Sequence, residues 1–485
     1  MSSPNAYKVR IGLEVHAQLS LQRKMFAPEG FCYGGAPNTQ VSVVSLAHPG
    51  TLPRVNVKAI QKAMQLGLAC QASITRFNHF DRKNYFYPDL PKGYQITQQH
   101  TPLCTGGQVC ITRPDGSTKA IALQRIHLEE DTGKSIHAVL GHTSLLDYNR
   151  AGAALIEIVT EPVMEAAEEA YLFLTELRKL VRYLEVCDGN MEEGSLRCDA
   201  NVSVARQDGR IVGQRVEVKN MNSIRNVQMA IDYEITRQID LLERGQDVPS
   251  ETRSYRAQDN TTRFMRAKEN SSQYRYFPEP DLLPFSVSDD QIEQIRQSMP
   301  MLPSACLDKF ITQYGLSNYD ATVLSEDKET ALFFDAVCQH TGHYKAAANW
   351  ILGPVKAYLN DRALGLHDFP IDAAGLAALV DTVAEGTVSF STAAKQLYPA
   401  MLTQPQRHPK ALALALGLTQ TSSTEETDAL MQEVLDAYSD KVTLYRNGKK
   451  GLLGMFVAEV MKRSTKNVSP KTISERLKDM LDRPL

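Results

Sequence analysis

Hydrophobic and polar residues alternate along several short segments in the first part of the chain. In VRIGLEVHAQL, every second residue from Val9 to Leu19 is apolar, whereas Glu14 and His16 occupy the other face. Successive side chains of a strand point to opposite faces, so this alternation predicts a β-strand with one buried and one polar face. The same pattern recurs in QRIHLEED, LIEIV, RCDANVSV and RVEVKN. It predicts the strands of one antiparallel sheet.

Two longer segments of this region follow a helical period. Apolar residues recur every three or four positions in Glu165–Val186 and in Ser223–Arg244, and Gly245 follows the second segment. This spacing predicts two amphipathic helices that pack by their apolar faces, and a glycine at that point is typical of a helix end.

The pattern becomes almost entirely helical near residue 285, where Asp289 and Asp290 are suited to cap the first helix. We therefore predict an α+β fold, with a mainly antiparallel sheet domain that includes helices, an all-α helical domain and a small all-α tail domain. The predicted domains are 1–285, 286–408 and 409–485.

Charge is unevenly distributed in a nearly neutral chain. The 485 residues have a net charge of -3, but residues 441–485 contain eleven bases and only four acids. A solvated helical face is the ordinary explanation of such a run. A nucleic-acid contact is the sharper alternative, because six of the bases gather around a glycine-punctuated turn and the following helix. They are Arg446, Lys449, Lys450, Lys462, Arg463 and Lys466.

Composition narrows the class of protein. With 43% hydrophobic and 22% charged residues, the chain is of ordinary globular type and not a disordered acidic chain. No apolar stretch approaches the ~20 residues of a membrane helix. We expect no membrane contact and, without a secretory or transit-like leader, a cytoplasmic location. The eight cysteines include no C-x-x-C pair, so neither a disulfide framework nor a zinc knuckle is predicted.

The polar face of the predicted sheet is rich in carboxylates. For any one strand this is most simply the water-facing side of a half-exposed sheet. Together, however, crowded carboxylates repel one another unless a cation compensates, which favours a Mg²⁺ site. The predicted ligands are Glu14, His16, Glu129 and Glu157, with Asp199 and Glu217 as further candidates.

Three further segments have unusual compositions. Asp81–Gln98 interleaves aromatic and charged residues between prolines, which predicts a loop that is either a pocket wall or a plain connection. Within Glu251–Pro284, residues 253–275 carry six bases against two acids, which suits phosphate recognition, or else the segment is a basic linker. Lys219–Ser223 precedes a helix, where backbone N–H groups favour anions, although Asn222 or Ser223 could simply be the helix cap.

Familiar nucleotide-binding and hydrolase motifs are missing from the sequence. It contains no G-x-x-x-x-G-K-[ST], no G-x-G-x-x-G and no G-x-S-x-G. Any use of ATP therefore requires a different architecture.

Seven longer motifs occur in order along the chain. They are IGLEVHAQL at Ile11, KNYFYPDLPKGYQI at Lys83, IHLEEDTGKS at Ile126, DYNRAGAALIEIVTEP at Asp147, GSLRCDANVSV at Gly194, EVKNMNSIRNV at Glu217 and YRYFPEPDL at Tyr274. Together they resemble the GatB family of the glutamyl/aspartyl-tRNA amidotransferase. The segment from Gly448 onward resembles the YqeY-type helical domain that ends this family, so the resemblance covers essentially the whole chain.

The resemblance implies a cradle-shaped kinase and transamidase domain, a helical domain and a tRNA-binding tail. It also implies a heterotrimer with an amidase (A) subunit and a small C subunit. The reaction it implies uses ATP to phosphorylate the side-chain carboxyl of Glu-tRNA(Gln) or Asp-tRNA(Asn), after which ammonia made from glutamine by the partner displaces phosphate. Such a subunit is an ATP-dependent carbon–nitrogen ligase, and Mg²⁺ would neutralise the transferring phosphoryl group.

Residue roles follow from the matching motifs. The resemblance supports the same metal ligands, Glu14, His16, Glu129 and Glu157. Candidates for a polar ammonia route are Lys83, Tyr85, Asp89 and Lys92. Candidates for contact with nucleotide phosphate are Lys219, Asn220 and Arg275.

One departure from the family pattern concerns zinc. Many relatives carry the cysteines of a structural zinc site in this region, whereas here Ala27 and Glu29 stand near one pair of positions and Ser42 and Ser45 at the other. We therefore predict no structural zinc, despite the nearby Cys32.

A second hypothesis belongs to another functional class. The chain could be a non-catalytic scaffold that binds tRNA while a different subunit performs the chemistry. The amidase signature is missing as well, so ammonia must come from outside the chain. The choice between the two tRNA substrates stays open at this point.

Overall fold

The computed structural model describes residues 7–137, 143–206, 213–267, 274–419, 424–463 and 470–482. By internal contacts the chain divides into two compact units, Met1–Pro303 and Ser304–Leu485. Within the described ranges, every helix is too short or too polar to cross a membrane. The division into three domains stays a prediction.

The first unit contains the strands and the two longest helices of the described residues. Its strands are β1 (Tyr7–Gln18), β2 (Ser73–Ile74), β3 (Phe77–Asn78), β4 (Asp81–Asn84), β5 (Tyr94–Thr97), β6 (Cys104–Thr105), β7 (Gln108–Thr112), β8 (Thr118–Glu130), β9 (Lys134–His137), β10 (Ser144–Asp147), β11 (Ala154–Thr160), β12 (Leu196–Arg206), β13 (Val216–Met221), β14 (Glu251–Arg256), β15 (Thr261–Ala267), β16 (Arg275–Pro278) and β17 (Phe285–Ser286). Its helices are α1 (Val57–Ala69), α2 (Ala167–Tyr183), α3 (Ile224–Glu243) and α4 (Asp289–Ser298).

A large sheet forms the centre of this unit. Its order is β15-β14-β13-β12-β1-β11-β8-β6-β2, with β7 also paired to β8. The pairs are antiparallel except β13 with β14, which run parallel. β1 lies in the middle and pairs with β12 on one side and β11 on the other. The alternation seen in the sequence thus belongs to strands of one sheet, as predicted.

The apolar face of the sheet is covered by the two predicted helices. Phe173 and Leu177 of α2 and Ile231 of α3 are fully buried in the same core as Ile11 and Val15 of β1. Both helices have an apolar face at the required period, so burial of that face drives their docking. The opposite face of β1 is therefore left for polar groups.

The segment predicted as a loop, Asp81–Gln98, is instead a β-hairpin. β4 pairs with β5 in register Asp81 to Thr97, and β16 adds to the other edge of β4. Pro88 and Gly93 interrupt regular structure only in the connection, where Gly93 has a positive φ of 71°. Backbone pairing with the distant β16 therefore overrides a local pattern that indicated irregular structure.

The second unit is helical in its described residues. Its α-helices are α5 (Pro303–Thr312), α6 (Asn318–Leu324), α7 (Lys328–Cys338), α8 (Tyr344–Trp350), α9 (Lys356–Arg362), α10 (Ala373–Ala384), α11 (Phe390–Thr392), α12 (Tyr398–Thr403), α13 (Pro409–Ala415), α14 (Thr424–Ala437), α15 (Ser439–Arg446), α16 (Leu453–Arg463) and α17 (Pro470–Asp482). Short π-helical turns join α8 to α9 and α11 to α12. The predicted α+β class is confirmed.

The N-cap of α4 is not one of the two predicted residues. It is Ser288, which forms a capping box with Gln291, so Asp289 and Asp290 lie in the first turn instead.

The last helices of the chain have a hydrophobic core of their own. Phe456, Val460 and Leu477 belong to this core of α14–α17. Of the bases singled out in the tail, Lys466 lies outside the described residues.

Candidate active site

The register of the central strands brings the predicted polar residues together. His16 on β1 lies opposite Glu157 on β11, and Glu157 lies opposite His127 on β8. On the other side of β1, Glu14 lies opposite Asp199 of β12. Residues from distant parts of the sequence thus become neighbours on one polar face because β1 has a partner on each side.

The first group, which we call the histidine–carboxylate cluster, consists of His16, His127, Glu129 and Glu157. His16 Nε2 lies 3.3 Å from Glu129 Oε1 and 3.5 Å from Glu157 Oε2. His127 Nε2 lies 3.2 Å from Glu157 Oε2. The alternation in QRIHLEED puts His127 on the same face as Glu129 but gives it no role. Its contact with Glu157 depends on strand pairing that local alternation does not specify.

Charges in this cluster stabilise one another strongly. Burial alone would lower the pKa of His16, but Glu157 and Glu129 outweigh it and raise the pKa to about 10. Burial would raise the pKa of Glu157, whereas His127 and His16 hold it well below its usual value. Glu157 is therefore ionised in a mostly buried position between two imidazoles, and a cation bound here would replace the proton of His16.

The second group, the carboxylate–lysine cluster, contains Glu14, Asp199, Glu217 and Lys219. Lys219 forms an ion pair with Asp199, and its Nζ lies 3.3 Å from Glu217 Oε1. Although burial would lower the pKa of Lys219, the neighbouring Asp199 and Glu217 raise it. The four predicted metal ligands are thus divided, since Glu14 groups with Asp199 and Glu217 whereas the other three form the first cluster.

Two cavities open on this polar face. The smaller has a volume of about 510 Å³ and is lined by Glu14, His127 and Glu157 together with arginines. The larger has a volume of about 1400 Å³ and is lined by His16, Asp199 and Lys219 among others. Lys83 and Glu129 line both cavities. These two side chains therefore stand where the cavities meet.

The smaller cavity is surrounded by polar atoms without protein partners. Among the buried side-chain atoms of the described residues, Arg125 Nε, His127 Nδ1 and Asn201 Oδ1 have no hydrogen-bond partner, and all three residues line this cavity. Buried polar groups are normally satisfied, so their concentration here indicates a polar ligand or ordered water. Arg10, Arg125 and Arg215 supply positive charge around the carboxylates. The cavity suits a phosphate-bearing ligand.

Lys83 and Tyr85 of the hairpin approach the same place from above the sheet face. Lys83 Nζ lies 5.0 Å from the ring centre of Tyr274 and 5.8 Å from that of Tyr85. Burial would lower the pKa of Lys83, but the nearby Glu129 and Glu157 raise it, so the ammonium is retained. Burial together with Glu129 raises the pKa of Tyr85, which keeps its phenol neutral.

Other predicted residues lie away from the two cavities. Asp89, Lys92 and Arg275 are not among the described residues that line them. Lys92 forms an ion pair with Glu130, and its Nζ is 5.4 Å from the ring centre of Tyr94. Arg275 is exposed on β16. Asp89 and Lys92 are thus close to Lys83 in sequence without sharing its pocket walls.

The segment before α3 combines a helix cap with a cavity wall. Ser223 accepts a hydrogen bond from the backbone N–H of Asn226 and is the N-cap, as one of the two sequence interpretations held. Asn220 lines the larger cavity with a positive φ of 66°, and its Nδ2 donates to Ser254 Oγ at 2.8 Å.

Polar contacts stabilise the region from Ala27 to Ser45, where the family pattern implies a zinc site in many relatives. Lys24 Nζ lies 3.2 Å from Glu29 Oε1 and donates to the carbonyl of Gln40 at 2.9 Å. Ser45 Oγ accepts from the backbone N–H of Ser42 at 3.0 Å. A buried ammonium beside Glu29 repels a divalent cation, so this donor set does not fit zinc.

The histidine–carboxylate cluster does fit a divalent cation. Carboxylate oxygens are the preferred ligands of Mg²⁺, and Glu129 and Glu157 offer them beside the imidazole of His16. A cation here would share the smaller cavity with Arg10, Arg125 and Arg215. A polar sheet face that joins carboxylates, arginines and two cavities suits an enzyme of the class that handles phosphoryl groups with a metal ion.

Comparison with known proteins assigns the chain within this class. A family model described as "GatB/GatE catalytic domain" matches residues 9–293, and one described as "GatB domain" matches residues 332–481. The chain belongs to the GatB family, as the sequence motifs predicted.

Full-length relatives are similar throughout, and each is named as the B component of an aspartyl/glutamyl-tRNA(Asn/Gln) amidotransferase. The protein from Syntrophotalea carbinolica is 44% identical over 98% of both chains. That from Alkalilimnicola ehrlichii is 45% identical over 97% of this chain and 98% of its own. That from Pelagibacter ubique is 42% identical over 98% of this chain and 97% of its own.

Proposed function

We propose that this chain is the tRNA-amidating subunit of a multi-subunit amidotransferase. Its substrates are Glu-tRNA(Gln), Asp-tRNA(Asn) or both, and its co-substrates are ATP and ammonia. The reaction makes it a carbon–nitrogen ligase whose ammonia comes from glutamine hydrolysed by an amidase (A) partner. A small C subunit completes the proposed heterotrimer, which works in the cytoplasm.

The chemistry proceeds in two balanced steps. An oxygen of the substrate side-chain carboxylate attacks the γ-phosphorus of ATP, and the bond from that phosphorus to ADP breaks. Ammonia then attacks the carbonyl carbon of the acyl phosphate, phosphate departs, and the nitrogen loses a proton. Activation is needed because a free carboxylate has no adequate leaving group, whereas an acyl phosphate loses phosphate readily.

The observation that carries the proposal is the junction of two cavities at Lys83 and Glu129. The smaller cavity has the arginines and carboxylates suited to nucleotide phosphates and a metal. The larger one, at about 1400 Å³, has room for the aminoacyl end of a tRNA. A carboxylate held at the junction would meet the γ-phosphate from one side and ammonia from the other.

Residue roles follow from this arrangement. We propose that His16, Glu129 and Glu157 hold Mg²⁺, which would neutralise the transferring phosphoryl group. The metal-ligand role of Glu14, which groups with Asp199 and Glu217, stays a prediction. Lys83 and Tyr85 bind and orient polar groups at the junction, where Lys83 keeps its charge. The ammonia-route roles of Asp89 and Lys92 and the phosphate contacts of Lys219, Asn220 and Arg275 stay predictions, and we add Arg125 as a phosphate contact because its Nε is buried and unpartnered.

We also propose that the region from Ala27 to Ser45 holds no structural zinc, supported by the buried Lys24–Glu29 ion pair. Zinc bound in stoichiometric amount to the purified chain and lost in Cys32→Ser would contradict this.

The deciding experiment measures ATP cleavage and tRNA binding separately. The full chain is co-expressed with candidate amidase and C subunits and supplied with misacylated tRNA, ATP and glutamine or ammonia. We expect Glu129→Gln to reduce tRNA-dependent ATP cleavage by about 10²–10³-fold or more, because preorganised charge at the phosphoryl group is lost. The affinity for tRNA should stay within twofold, and the exposed Glu168→Gln on α2 is the matched control.

Deleting residues 409–485 should have the reverse effect and weaken tRNA binding in a salt-dependent way. Full ATP cleavage and amide formation in Glu129→Gln would favour the competing hypothesis, a tRNA-binding scaffold whose chemistry belongs to another subunit.

A further inference from the structure

A third group of potential ligands lies outside the two cavities. His79, Asp81 and His100, which we call the His79 cluster, each offer one ligand atom, and these atoms lie within 4.8 Å of one another. His79 and Asp81 flank the start of β4, and His100 follows the end of β5. The cluster therefore closes the open end of the hairpin that carries Lys83 and Tyr85.

The spacing of the donor atoms matches that of metal ligands. Asp81 Oδ1 lies 2.9 Å from His100 Nδ1 and 3.4 Å from His79 Nε2. With bonds of 2.0–2.1 Å, neighbouring ligands in four- to six-coordinate sites lie about 2.9–3.4 Å apart. The two imidazole rings are nearly parallel, at 23°, with centres 6.2 Å apart.

Asp81 is fixed by the backbone. Its side chain is fully buried, and Oδ2 accepts hydrogen bonds from the backbone N–H groups of Gln99 and His100 at 2.8 and 3.0 Å. These bonds leave Oδ1 directed at the two imidazoles. Outer contacts of this kind orient a carboxylate ligand before a metal arrives.

Thr101 holds the ring of His79 in place. The Thr101 hydroxyl accepts from the backbone N–H of His79 at 3.0 Å and lies 3.1 Å from the His79 carbonyl and 3.2 Å from His79 Nδ1. Its single hydrogen serves either the carbonyl or Nδ1. When it serves the carbonyl, Nδ1–H of a neutral His79 donates to the hydroxyl and Nε2 presents a lone pair toward Asp81 Oδ1.

A lone pair facing a buried carboxylate oxygen at 3.4 Å is unfavourable unless positive charge lies between them. A proton on Nε2 would supply that charge, and so would a metal ion. We propose that the His79 cluster binds a divalent first-row transition metal, Zn²⁺ foremost. Two imidazoles with one carboxylate suit Zn²⁺ and its neighbours far better than Mg²⁺, and the exposure of His100 leaves coordination positions open to water.

The bound metal would connect both ends of the β4–β5 hairpin. It thereby fixes the base from which Lys83 and Tyr85 project. The cluster is separate from the region of Ala27–Ser45 for which we predict no zinc. The proposal does not depend on the proposed function, since metal binding is measured without substrates.

The test uses the full chain, stripped with a chelator and then titrated with Co²⁺ or Zn²⁺ in millimolar Mg²⁺. Bound metal is counted by equilibrium dialysis and elemental analysis, and Co²⁺ by its visible absorption. We expect His79→Ala/His100→Ala to bind one equivalent less than the parent chain. Thr101→Val, which keeps all three ligands, should weaken binding at this site roughly 10- to 100-fold.

His48→Ala, an exposed histidine in the same unit, is the matched control and should bind metal as the parent does. Metal should also slow hydrogen exchange in β4 and β5 of the parent but not of the double variant. Equal stoichiometry in the parent and the double variant would overturn the proposal, as would unchanged affinity in both Thr101→Val and the single His100→Ala. In that case a proton, not a metal, balances the cluster.

Discussion

The sheet face of the first unit and the helices at the end of the chain use charge in opposite ways. On the sheet face, Glu129 and Glu157 are almost fully buried and lie within 3.5 Å of a histidine. Near the end of the chain, Lys449, which lies between α15 and α16, and Lys462 of α16 are exposed to solvent. Buried charges act at contact distance on one bound group, whereas exposed charges attract an extended polyanion and are screened by salt.

Removing a buried charge should lower the stability of the protein more than removing an exposed charge. Lys24→Met should lower the free energy of unfolding of the first unit by about 3 kcal/mol, because it leaves the carboxylate of Glu29 buried without its partner. Calorimetry of the full chain measures this as a downward shift of the transition in which the sheet is lost.

The matched variant is Lys450→Met in the tail, whose ion pair with Asp482 is exposed. It should leave the unfolding transitions unchanged. Equal shifts in Lys24→Met and Lys450→Met would break the distinction between buried and exposed charge.

A smaller change in free energy is expected when the charge removed from the first unit is one that binds a ligand. Arg125→Gln should raise the KM for ATP roughly 10- to 100-fold, because a charge-assisted hydrogen bond to phosphate is lost from a desolvated position. Steady-state kinetics with saturating misacylated tRNA measures it.

Arg275→Gln is the variant to compare with Arg125→Gln. Arg275 was predicted from sequence to contact phosphate, but it is exposed and lies outside the described lining of the smaller cavity. We expect a smaller rise in KM than for Arg125→Gln. The reverse order would restore the role predicted for Arg275 and remove the one we assign to Arg125.

The smallest effects should come from individual exposed charges. Lys449→Gln/Lys462→Gln should weaken tRNA binding about tenfold near 0.1 M salt and reduce the slope of log K against log salt by roughly 0.7–0.9 per lysine. Filter binding or fluorescence anisotropy across a salt series provides the slope.

Two exposed lysines of the first unit, Lys8 and Lys58, give the control. Their double glutamine variant should leave the slope unchanged. A tail variant that weakens binding equally at every salt concentration would show that the tail acts through specific contacts and not through its field.

Much of the fold was predictable because the signals are local. Alternation in β1 identified its buried and polar faces, and the helical period located α2 and α3 to within a few residues of their ends. The hairpin of β4 and β5 was missed. Its strands are only four residues long, and β4 also pairs with β16 almost 200 residues later.

The candidate site shows the same limit. Glu14, His16, Glu129 and Glu157 were predicted to lie together, and they share one polar face. Their division into two clusters follows from strand order, because β1 has β12 on one side and β11 on the other. Asp89 and Lys92 share a motif with Lys83, yet the turn of the hairpin directs them elsewhere.

The sequence by itself determined the family, the α+β class and which side chains face away from the core, because periodicity and motifs depend only on residues that are close together in the chain. Only the tertiary structure decided that Lys83 and Glu129 join two cavities, that Arg125 Nε is left without a hydrogen-bond partner and that His79, Asp81 and His100 lie together. These residues come together because segments far apart in the chain pair with one another. The register of that pairing is selected by the free energy gained from burying the apolar core and not by local conformational preference.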